Sequence, residues 1–503
     1  MKAAWNKIWP LPQRLQTVLL LFTMMVAATA LSIFIFSKTS LRLDEAQSLF
    51  QVSRDFGGTL YLVAQDVHVP GYHILLQVWT YFFGNEVGAA RFMSLGFLLA
   101  TIPMVYALGS LVFGRKVGLF AAFLVTISPF MEWYGSEARM YSMLAFMTVL
   151  HYYLFIKVYE EGRTRHWIGY AIVAILGLYT HYFFAFVLLT EVLFYLLYRK
   201  SFPKGSLKKF IIAAAVTLAA FAPWLLYVYQ LGTASNTQPS LSTPSSGDLF
   251  NTYAQFLFGF QVDNLNTIIV SLWPAIVLLA FYALQKNKKI TQQAMFFVFA
   301  AVIPVLAAFI ISVTIRPFYL SRYLIVALPP LLILLAWIFS MYPKKVRRVL
   351  QIGLTVVTLG LLTIQILNPQ TPVKEDYSSA VNYLNTSATA QDVIIVAAPF
   401  TIYPTEYYYR GPAKLTTQPI WNRFEGGAVP AYDAQKVKEE TDENVLSYQN
   451  AYLMLSYDQG YNDKLKTYYD SRFERISEEE FSQNLVVYKY KIRYDPAVTL
   501  TDS

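Results

Sequence analysis

Long apolar runs alternate with short polar segments over the first 370 residues of the chain. A helix of about 20 apolar residues crosses the roughly 30 Å hydrocarbon core of a bilayer. We therefore predict a polytopic α-helical membrane protein with about eleven spanning helices. They lie near residues 15–36, 87–113, 117–134, 138–159, 166–180, 183–198, 209–230, 265–285, 293–315, 320–341 and 346–366. The composition agrees, because only 14% of the residues are charged, against about 25% in soluble domains.

Basic residues cluster at alternate turns between these runs, as at 115–116, 199–209, 286–289 and 344–348. Cytoplasmic loops are the ones enriched in Lys and Arg, and the loop 231–264 contains neither. This pattern predicts a multi-pass plasma-membrane protein with a cytoplasmic N-terminus, including Lys2 and Lys7, and an external C-terminus. The run 15–36 resembles a signal peptide, but it is long for one, and we interpret it as a retained anchor.

This orientation holds only if residues 71–83 do not cross the membrane. The run has about 13 residues and is too short to span, so we predict a juxtamembrane helix in the outer interface, within a first external loop at 37–86. If it were a span, every later loop would invert and the basic clusters would lie outside.

The composition changes after residue 370, where 371–503 carry 13 of the 40 Lys and Arg but 19 of the 31 Asp and Glu. Helical patterns at 375–386 and 462–472 alternate with apolar strand patterns at 392–398, 452–457 and 485–490. Such alternation predicts a small C-terminal α/β domain. The expected organisation is a membrane domain at 1–370 and an external soluble domain at 371–503.

Several kinds of chemistry are excluded or not indicated. The chain has no Cys, which excludes disulfides and thiolate catalysis. Residues 109–116 lack the Gly-Lys-Ser/Thr ending of a phosphate-binding loop. No cofactor is indicated; a divalent metal stays open, since His68, His73 and His181 are able to meet outside. The basic excess of the membrane part follows topology, so we expect no nucleic-acid partner.

Three separated segments bring carboxylates, arginines and tyrosines to the predicted outer face: residues 44–45, 133–141 and 316–323. The first two have a structural alternative, because Asp44 is able to cap a helix and Glu137 is able to pair with Arg139. Together they suit a reaction of an anionic lipid. A carboxylate removes a proton from a hydroxyl, and arginines stabilise a departing phosphate.

The order of short motifs carries a resemblance to a known family. The motifs are Leu43-Asp44-Glu45, His68-Val69-Pro70-Gly71-Tyr72-His73, Phe83-Gly84 with Ala89-Ala90-Arg91, and Glu137-Ala138-Arg139-Met140-Tyr141. The set resembles glycosyltransferase family 39, the protein O-mannosyltransferases and their relatives, which include lipid A aminoarabinose transferases. The resemblance covers residues 37–200, and weakly 316–331.

The resemblance implies a GT-C membrane fold and a polyprenyl-phosphate-sugar donor, with single displacement and inversion at the anomeric carbon. Asp44 would be the catalytic base, Glu45 its acidic neighbour and Glu137 the second acidic position. The donor lipid phosphate would be bound by Arg139, Tyr141, Arg322, Tyr323 and His68. The family usually has Pro where this chain has Val69, which weakens the case for His68.

Other functions stay open at this point. Glu191 lies midway along the run 183–198, where an ionised carboxylate costs about 3 kcal/mol. It is either a structural residue or the proton relay of a lipid or solute transporter. A protein that binds the donor without turnover is a third alternative. The sugar is not identified, and the acceptor hydroxyl belongs to a protein, a glycolipid or a wall polymer.

Overall fold

The computed structural model describes residues 12–66, 68–232, 241–271, 290–368, 370–423 and 430–492, together with 274, 277, 278, 281, 282 and 285. By packing, the chain divides into two units, and each is described separately. The first comprises Met1–Ser37, His68–Tyr227 and Pro239–Pro372; the second comprises Lys38–Val67, Val228–Gln238 and Val373–Ser503. Lys2, Lys7 and the basic residues of 286–289 lie outside the described residues.

Most of the described residues of the first unit are helical. The helices α2 (Leu43–Val52) and α3 (Phe56–Gln65) belong to the second unit. The α-helices of the first unit are α1 (Gln13–Phe36), α4 (Pro70–Phe83), α5 (Val87–Phe113), α6 (Arg115–Ile127), α7 (Pro129–Gly135), α8 (Tyr141–Glu161), α9 (Thr164–Thr180), α10 (Phe184–Tyr198), α11 (Ser206–Leu231), α12 (Ser246–Phe258), α13 (Asp263–Ser271), α14 (Gln292–Thr314), α15 (Leu328–Ser340) and α16 (Lys344–Leu367). A 3₁₀ segment, Ser321–Ala327, precedes α15.

Among the described residues, seven helical segments are long and apolar enough to cross a membrane, or eight if a bent pair counts as one span. Only 17% of the apolar window of α1 is buried within the protein. The protein leaves most apolar side chains of this 24-residue helix uncovered. Contact with lipid would cover them, as expected for a multi-pass membrane protein.

The number of spans differs from eleven for identifiable reasons. The helices α9 and α10 have 17 and 15 residues, which is short for a span. Most of the run expected at 265–285 lies outside the described residues. The count of eleven stays a prediction.

The run at 117–134 is two helices rather than one. The axes of α6 and α7 differ by 61°. Pro129 disfavours helical backbone at the residue before it, and Ser128 is extended, with its hydroxyl accepting from the Met131 N–H at 3.2 Å. The Ser-Pro pair therefore ends one helix and caps the next.

The short run at 71–83 forms helix α4, which has 14 residues. Its first turn packs closely on α9, because a Cβ at Gly71 would lie 2.5 Å from the Tyr179 carbonyl oxygen. Its last turn exposes Tyr81, Phe82 and Phe83. Exposed aromatic rings at a helix end suit a membrane interface, and the interfacial location stays a prediction.

The second unit contains a five-stranded sheet of order β2-β1-β3-β5-β4. The strands are β1 (Asp392–Ala397), β2 (Lys414–Thr417), β3 (Asn450–Leu455), β4 (Glu474–Ser482) and β5 (Leu485–Lys491). β1 pairs parallel with β2 and β3, and β5 pairs antiparallel with β3 and β4. The helices beside it are α17 (Tyr377–Ser387), α18 (Ile402–Tyr408), α19 (Ala434–Asn444) and α20 (Asn462–Arg472). The predicted α/β domain is confirmed.

Residues 38–66 pack with this sheet domain. They form α2 (Leu43–Val52) and α3 (Phe56–Gln65). The Leu41 N–H donates to the Tyr408 hydroxyl at 2.9 Å, and the rings of Phe50 and Tyr403 lie 5.0 Å apart. The division expected from the sequence grouped this loop with residues 1–370, whereas its contacts group it with residues 373–503.

Candidate active site

The first unit presents its functional side chains on the non-helical turn between α7 and α8. The turn starts after Gly135, where a Cβ would lie 2.5 Å from a methyl of Leu98, so only glycine fits this close approach. Within the turn the Arg139 N–H donates to the Glu137 carbonyl at 2.7 Å. The Ser94 hydroxyl donates to the Arg139 carbonyl at 3.2 Å. It also lies 3.2 Å from the hydroxyl of Tyr72.

Arg139 makes a short contact with His68. The Arg139 side chain is 2% exposed, and its Nη2 lies 2.6 Å from His68 Nε2. A guanidinium only donates hydrogen bonds, so this ring nitrogen of His68 is the acceptor and its proton is on Nδ1. Neutral His68 therefore orients Arg139 and does not add a positive charge in this arrangement.

Aromatic rings surround the next part of the site. The Tyr141 ring lies 6.3 Å from that of Tyr323, and the His181 ring lies 5.1 Å from Tyr323. All three residues are buried. Tyr141 opens α8, His181 follows α9 and Tyr323 lies in the 3₁₀ segment, so three distant stretches of sequence converge here.

The electrostatic environment of this cluster is positive. Burial first, and then the positive charges of Arg139 and Arg322, lower the pKa of His181 well below its usual value. The Arg322 guanidinium lies 5.4 Å from the centroid of the Tyr323 ring. We define the cationic cluster as Arg139 and Arg322, together with the rings of His68 and His181 that lie beside them. A partly buried set of guanidinium donors is suited to a phosphate group.

Asp44 and Glu45 lie in the second unit, at the first turn of α2. Glu45 is fully buried, and its Oε2 accepts from the Arg42 N–H at 3.0 Å. Glu45 thus caps the helix, whereas the sequence had suggested this role for Asp44. Asp44 is half-buried, and its main-chain carbonyl accepts from the Ser48 hydroxyl.

Five of the predicted residues therefore come together in the first unit: His68, Arg139, Tyr141, Arg322 and Tyr323. Glu137 is buried in the same turn as Arg139. Sequence reasoning grouped His181 with His68 and His73 as metal ligands and did not place it beside Arg139 and Arg322. It also missed Glu132, a buried carboxylate whose Oε2 accepts from the Ser32 hydroxyl at 3.0 Å. The only local signal for Glu132 is an acidic residue inside an apolar run.

Within the described ranges, no three His, Asp or Glu side chains are arranged so that they could hold a metal ion. His68 and His73 do stack, with ring centroids 5.9 Å apart. The contact of His68 with Arg139 occupies Nε2, one of the two ring nitrogens through which a histidine binds a metal.

The chain is similar in sequence and in fold to known membrane glycosyltransferases. Residues 67–227 match the family model of dolichyl-phosphate-mannose-protein mannosyltransferases. ArnT from Cupriavidus metallidurans in the apo state superposes with a TM-score of 0.65 over 93% of this chain and 97% of that one, at 13% identity. This chain has the GT-C glycosyltransferase fold. The resemblance in the sequence motifs is thus confirmed.

Two further GT-C structures agree. ArnT from Cupriavidus metallidurans bound to undecaprenyl phosphate gives a TM-score of 0.56 at 12% identity, over 93% of this chain and 97% of that one. The apo oligosaccharyltransferase of Archaeoglobus fulgidus gives 0.53 at 12% identity, over 89% and 70%. No curated protein sequence matches the chain. At these identities the GT-C likeness establishes the fold alone.

Proposed function

We propose that this protein is an inverting glycosyltransferase that moves a sugar from a polyprenyl-phosphate-sugar donor to an acceptor hydroxyl at the outer membrane face. The observation that carries the proposal is the cationic cluster, in which Arg139 and Arg322 lie beside the buried rings of Tyr141 and Tyr323. ArnT, which has the same fold, was solved with undecaprenyl phosphate bound.

The proposed chemistry is a single displacement. Asp44 takes the proton of the acceptor hydroxyl, and the acceptor oxygen forms a bond to the anomeric carbon. The bond from that carbon to the phosphate oxygen breaks, and the polyprenyl phosphate leaves with the electron pair. Arg139 and Arg322 stabilise the charge that develops on the phosphate. No general acid is required, because a phosphate leaves as an anion.

His68 has a positioning role in this scheme. Its Nε2 accepts from Arg139 and fixes the direction of the guanidinium. The remaining N–H groups of the arginine keep their fork geometry for phosphate oxygens. We assign the hydroxyls of Tyr141 and Tyr323 to binding of the same phosphate group. Glu137 is assigned a structural role in the turn that carries Arg139.

The experiment is transfer from synthetic polyprenyl-phosphate sugars by the purified full-length protein, comparing Asp44→Asn with Asp55→Asn. Asp55 is a matched control, because it is exposed in the same loop and caps α3 by accepting from the Gly58 N–H. Asparagine caps as well as aspartate does. We expect D44N to lose activity by about 100-fold or more and D55N to match the parent.

Three results would contradict the proposal. Full activity of D44N would remove Asp44 as the base. Retention of configuration at the anomeric carbon, measured by NMR of the product, would exclude a single displacement. Absence of transfer from every polyprenyl-phosphate sugar, with turnover of a nucleotide sugar, would exclude the donor class.

The transporter alternative was motivated by Glu191, and this residue has structural partners. Glu191 Oε2 accepts from the Tyr170 hydroxyl at 2.7 Å and lies 3.0 Å from His151 Nε2. All three residues are buried and belong to three different helices. The carboxylate thus ties α8, α9 and α10 together, which accounts for a polar residue inside an apolar helix.

A further inference from the structure

His181 is held in one orientation by the turn that joins α9 to α10. Its main-chain N–H donates to the Gly177 carbonyl at 3.1 Å, and its own carbonyl accepts from the Phe184 N–H at 3.0 Å. The side chain is bound as well, because Nδ1 accepts from the Phe183 N–H at 3.1 Å. Three of the four hydrogen-bonding groups of this residue are thus committed to the fold, and Nε2 is the fourth.

The bond to Nδ1 fixes the position of the ring proton. A main-chain N–H only donates, so Nδ1 carries no proton and the proton of the neutral ring is on Nε2. His68 has the opposite arrangement, since its Nε2 accepts from Arg139. The site therefore contains one histidine that accepts from an arginine and a second, His181, that is a neutral donor.

The His181 ring lies among residues that we assign to the donor phosphate. Its centroid is 6.4 Å from that of the Tyr141 ring and 5.1 Å from that of Tyr323. The Arg322 guanidinium lies 5.4 Å from the same Tyr323 ring, and Tyr141 follows Arg139 by two residues in the chain. A neutral N–H donor thus lies beside the two tyrosines that border the arginines.

The surroundings keep this donor neutral. Burial and the positive charges of Arg139 and Arg322 lower the pKa of His181, so the ring takes up no second proton at neutral pH. Protonation would also break the bond from the Phe183 N–H, because both ring nitrogens of an imidazolium donate. An anion held by the arginines would therefore meet His181 as a hydrogen-bond donor that adds no charge.

We propose that the Nε2–H of His181 donates a hydrogen bond to a phosphate oxygen of the polyprenyl-phosphate donor. The inference rests on the proposed function, because it needs the cationic cluster to bind that phosphate. The alternative is that His181 only stabilises the turn, through the bond at Nδ1. Two substitutions separate these roles, since asparagine carries its amide oxygen near the position of Nδ1 and glutamine carries its amide nitrogen near the position of Nε2.

The test measures binding of undecaprenyl phosphate to the purified full-length protein for the parent, His181→Asn, His181→Gln and His181→Phe. H181N keeps an acceptor for the Phe183 N–H and removes the donor, so we expect it to weaken binding about tenfold or more. H181Q keeps a donor and should stay within about threefold of the parent. H181F removes both groups and should bind no better than H181N.

Two controls accompany these variants. His166→Asn and His166→Gln should bind like the parent, because His166 lies in the first turn of α9, at the opposite end of the same helix. Undecaprenol has the same lipid chain without the phosphate, and the His181 substitutions should not weaken its binding. Thermal unfolding shows whether each variant is folded; if H181N is not, H181Q should bind more tightly than H181F, and equal affinities would contradict the inference.

Several results would overturn the inference. Parent-like binding by H181N, or a loss in H181Q as large as that in H181N, would show that the Nε2 donor does not bind the phosphate. Equal weakening for undecaprenol would assign His181 to the lipid chain. In these cases the parent still binds the phosphate lipid and transfers the sugar, so the proposed function stands. If the parent binds no undecaprenyl phosphate, the proposed function fails and this inference fails with it.

Discussion

The contact between Arg139 and His68 gives the most specific prediction for the donor site. Arg139→Lys keeps the positive charge but removes Nη2, which donates to His68 Nε2 at 2.6 Å. A hydrogen bond that involves a charged group contributes about 1.5–3 kcal/mol. Since about 1.36 kcal/mol corresponds to a factor of ten in rate, we expect kcat/KM for the polyprenyl-phosphate sugar to fall roughly 10- to 150-fold.

A double-mutant cycle separates this bond from other effects. His68→Phe removes the acceptor and keeps a flat ring, so it should cost as much as R139K. If the two residues act through one bond, the double variant should be no worse than the more damaging single variant. Arg163→Lys is the control, because Arg163 is exposed after α8 and pairs with Glu161; it should match the parent.

The outcome that refutes this reasoning is additivity. If the two substitutions add within about 0.5 kcal/mol, the residues do not act as a unit, and His68 does not position Arg139. An unchanged kcat/KM in R139K would refute the assignment of Arg139 to the donor phosphate. Thermal unfolding of each variant identifies losses that are caused by misfolding.

Three further predictions test other parts of the structure. Arg322→Gln should raise KM for the donor and also raise the pKa of His181, because it removes a positive charge that lowers this pKa. NMR titration of labelled histidine measures the pKa, and an unchanged pKa of His181 would contradict this prediction. Burial and a nearby arginine lower the pKa of Lys374 to about 8, so the folded protein disfavours the charged form of this lysine. Because the unfolded chain then binds more protons, the folded protein becomes more stable as pH rises from about 8 towards 10.5. Lys374→Met should therefore unfold at a higher temperature than the parent at pH 7, with a difference that shrinks at high pH; equal melting temperatures would refute this. Because the chain has no Cys, single thiols introduced at the exposed positions Lys116 and Glu443 report membrane orientation. A membrane-impermeant thiol reagent should label E443C in intact cells and label K116C only after lysis. Labelling of K116C in intact cells and of E443C only after lysis would invert the proposed topology.

Some of the fold follows directly from local sequence. A bilayer requires each crossing segment to satisfy its own backbone hydrogen bonds within a fixed thickness, so apolar run length predicts a helix well. Residues 87–113 are predicted with the bounds of the observed helix α5. The motifs around Asp44 and Arg139 also predict the GT-C fold. Their resemblance to a known family depends on their order along the chain, and this order can be recognised without knowing which residues are in contact.

Other elements were missed for physical reasons. β4 reads Glu-Arg-Ile-Ser-Glu-Glu-Glu-Phe-Ser, and its charge conceals the strand pattern. An edge strand is stabilised by pairing with one neighbour, and charge on it prevents pairing with other molecules. β2 has only four residues. Helix α19 is so polar that its apolar periodicity is weak.

The sequence alone determined the membrane class, the α/β character of the C-terminal domain and the types of residue available for phosphate and proton chemistry, since these depend on composition and on periodicity within about 20 residues. Only the tertiary structure decided which partners meet. It joined His68 to Arg139 across 71 residues and the first loop to the C-terminal domain across 335. Such contacts depend on packing between distant segments, and no local pattern records them. Thus the chain showed Asp44 as a candidate base, and only the fold revealed that its loop packs against the C-terminal domain.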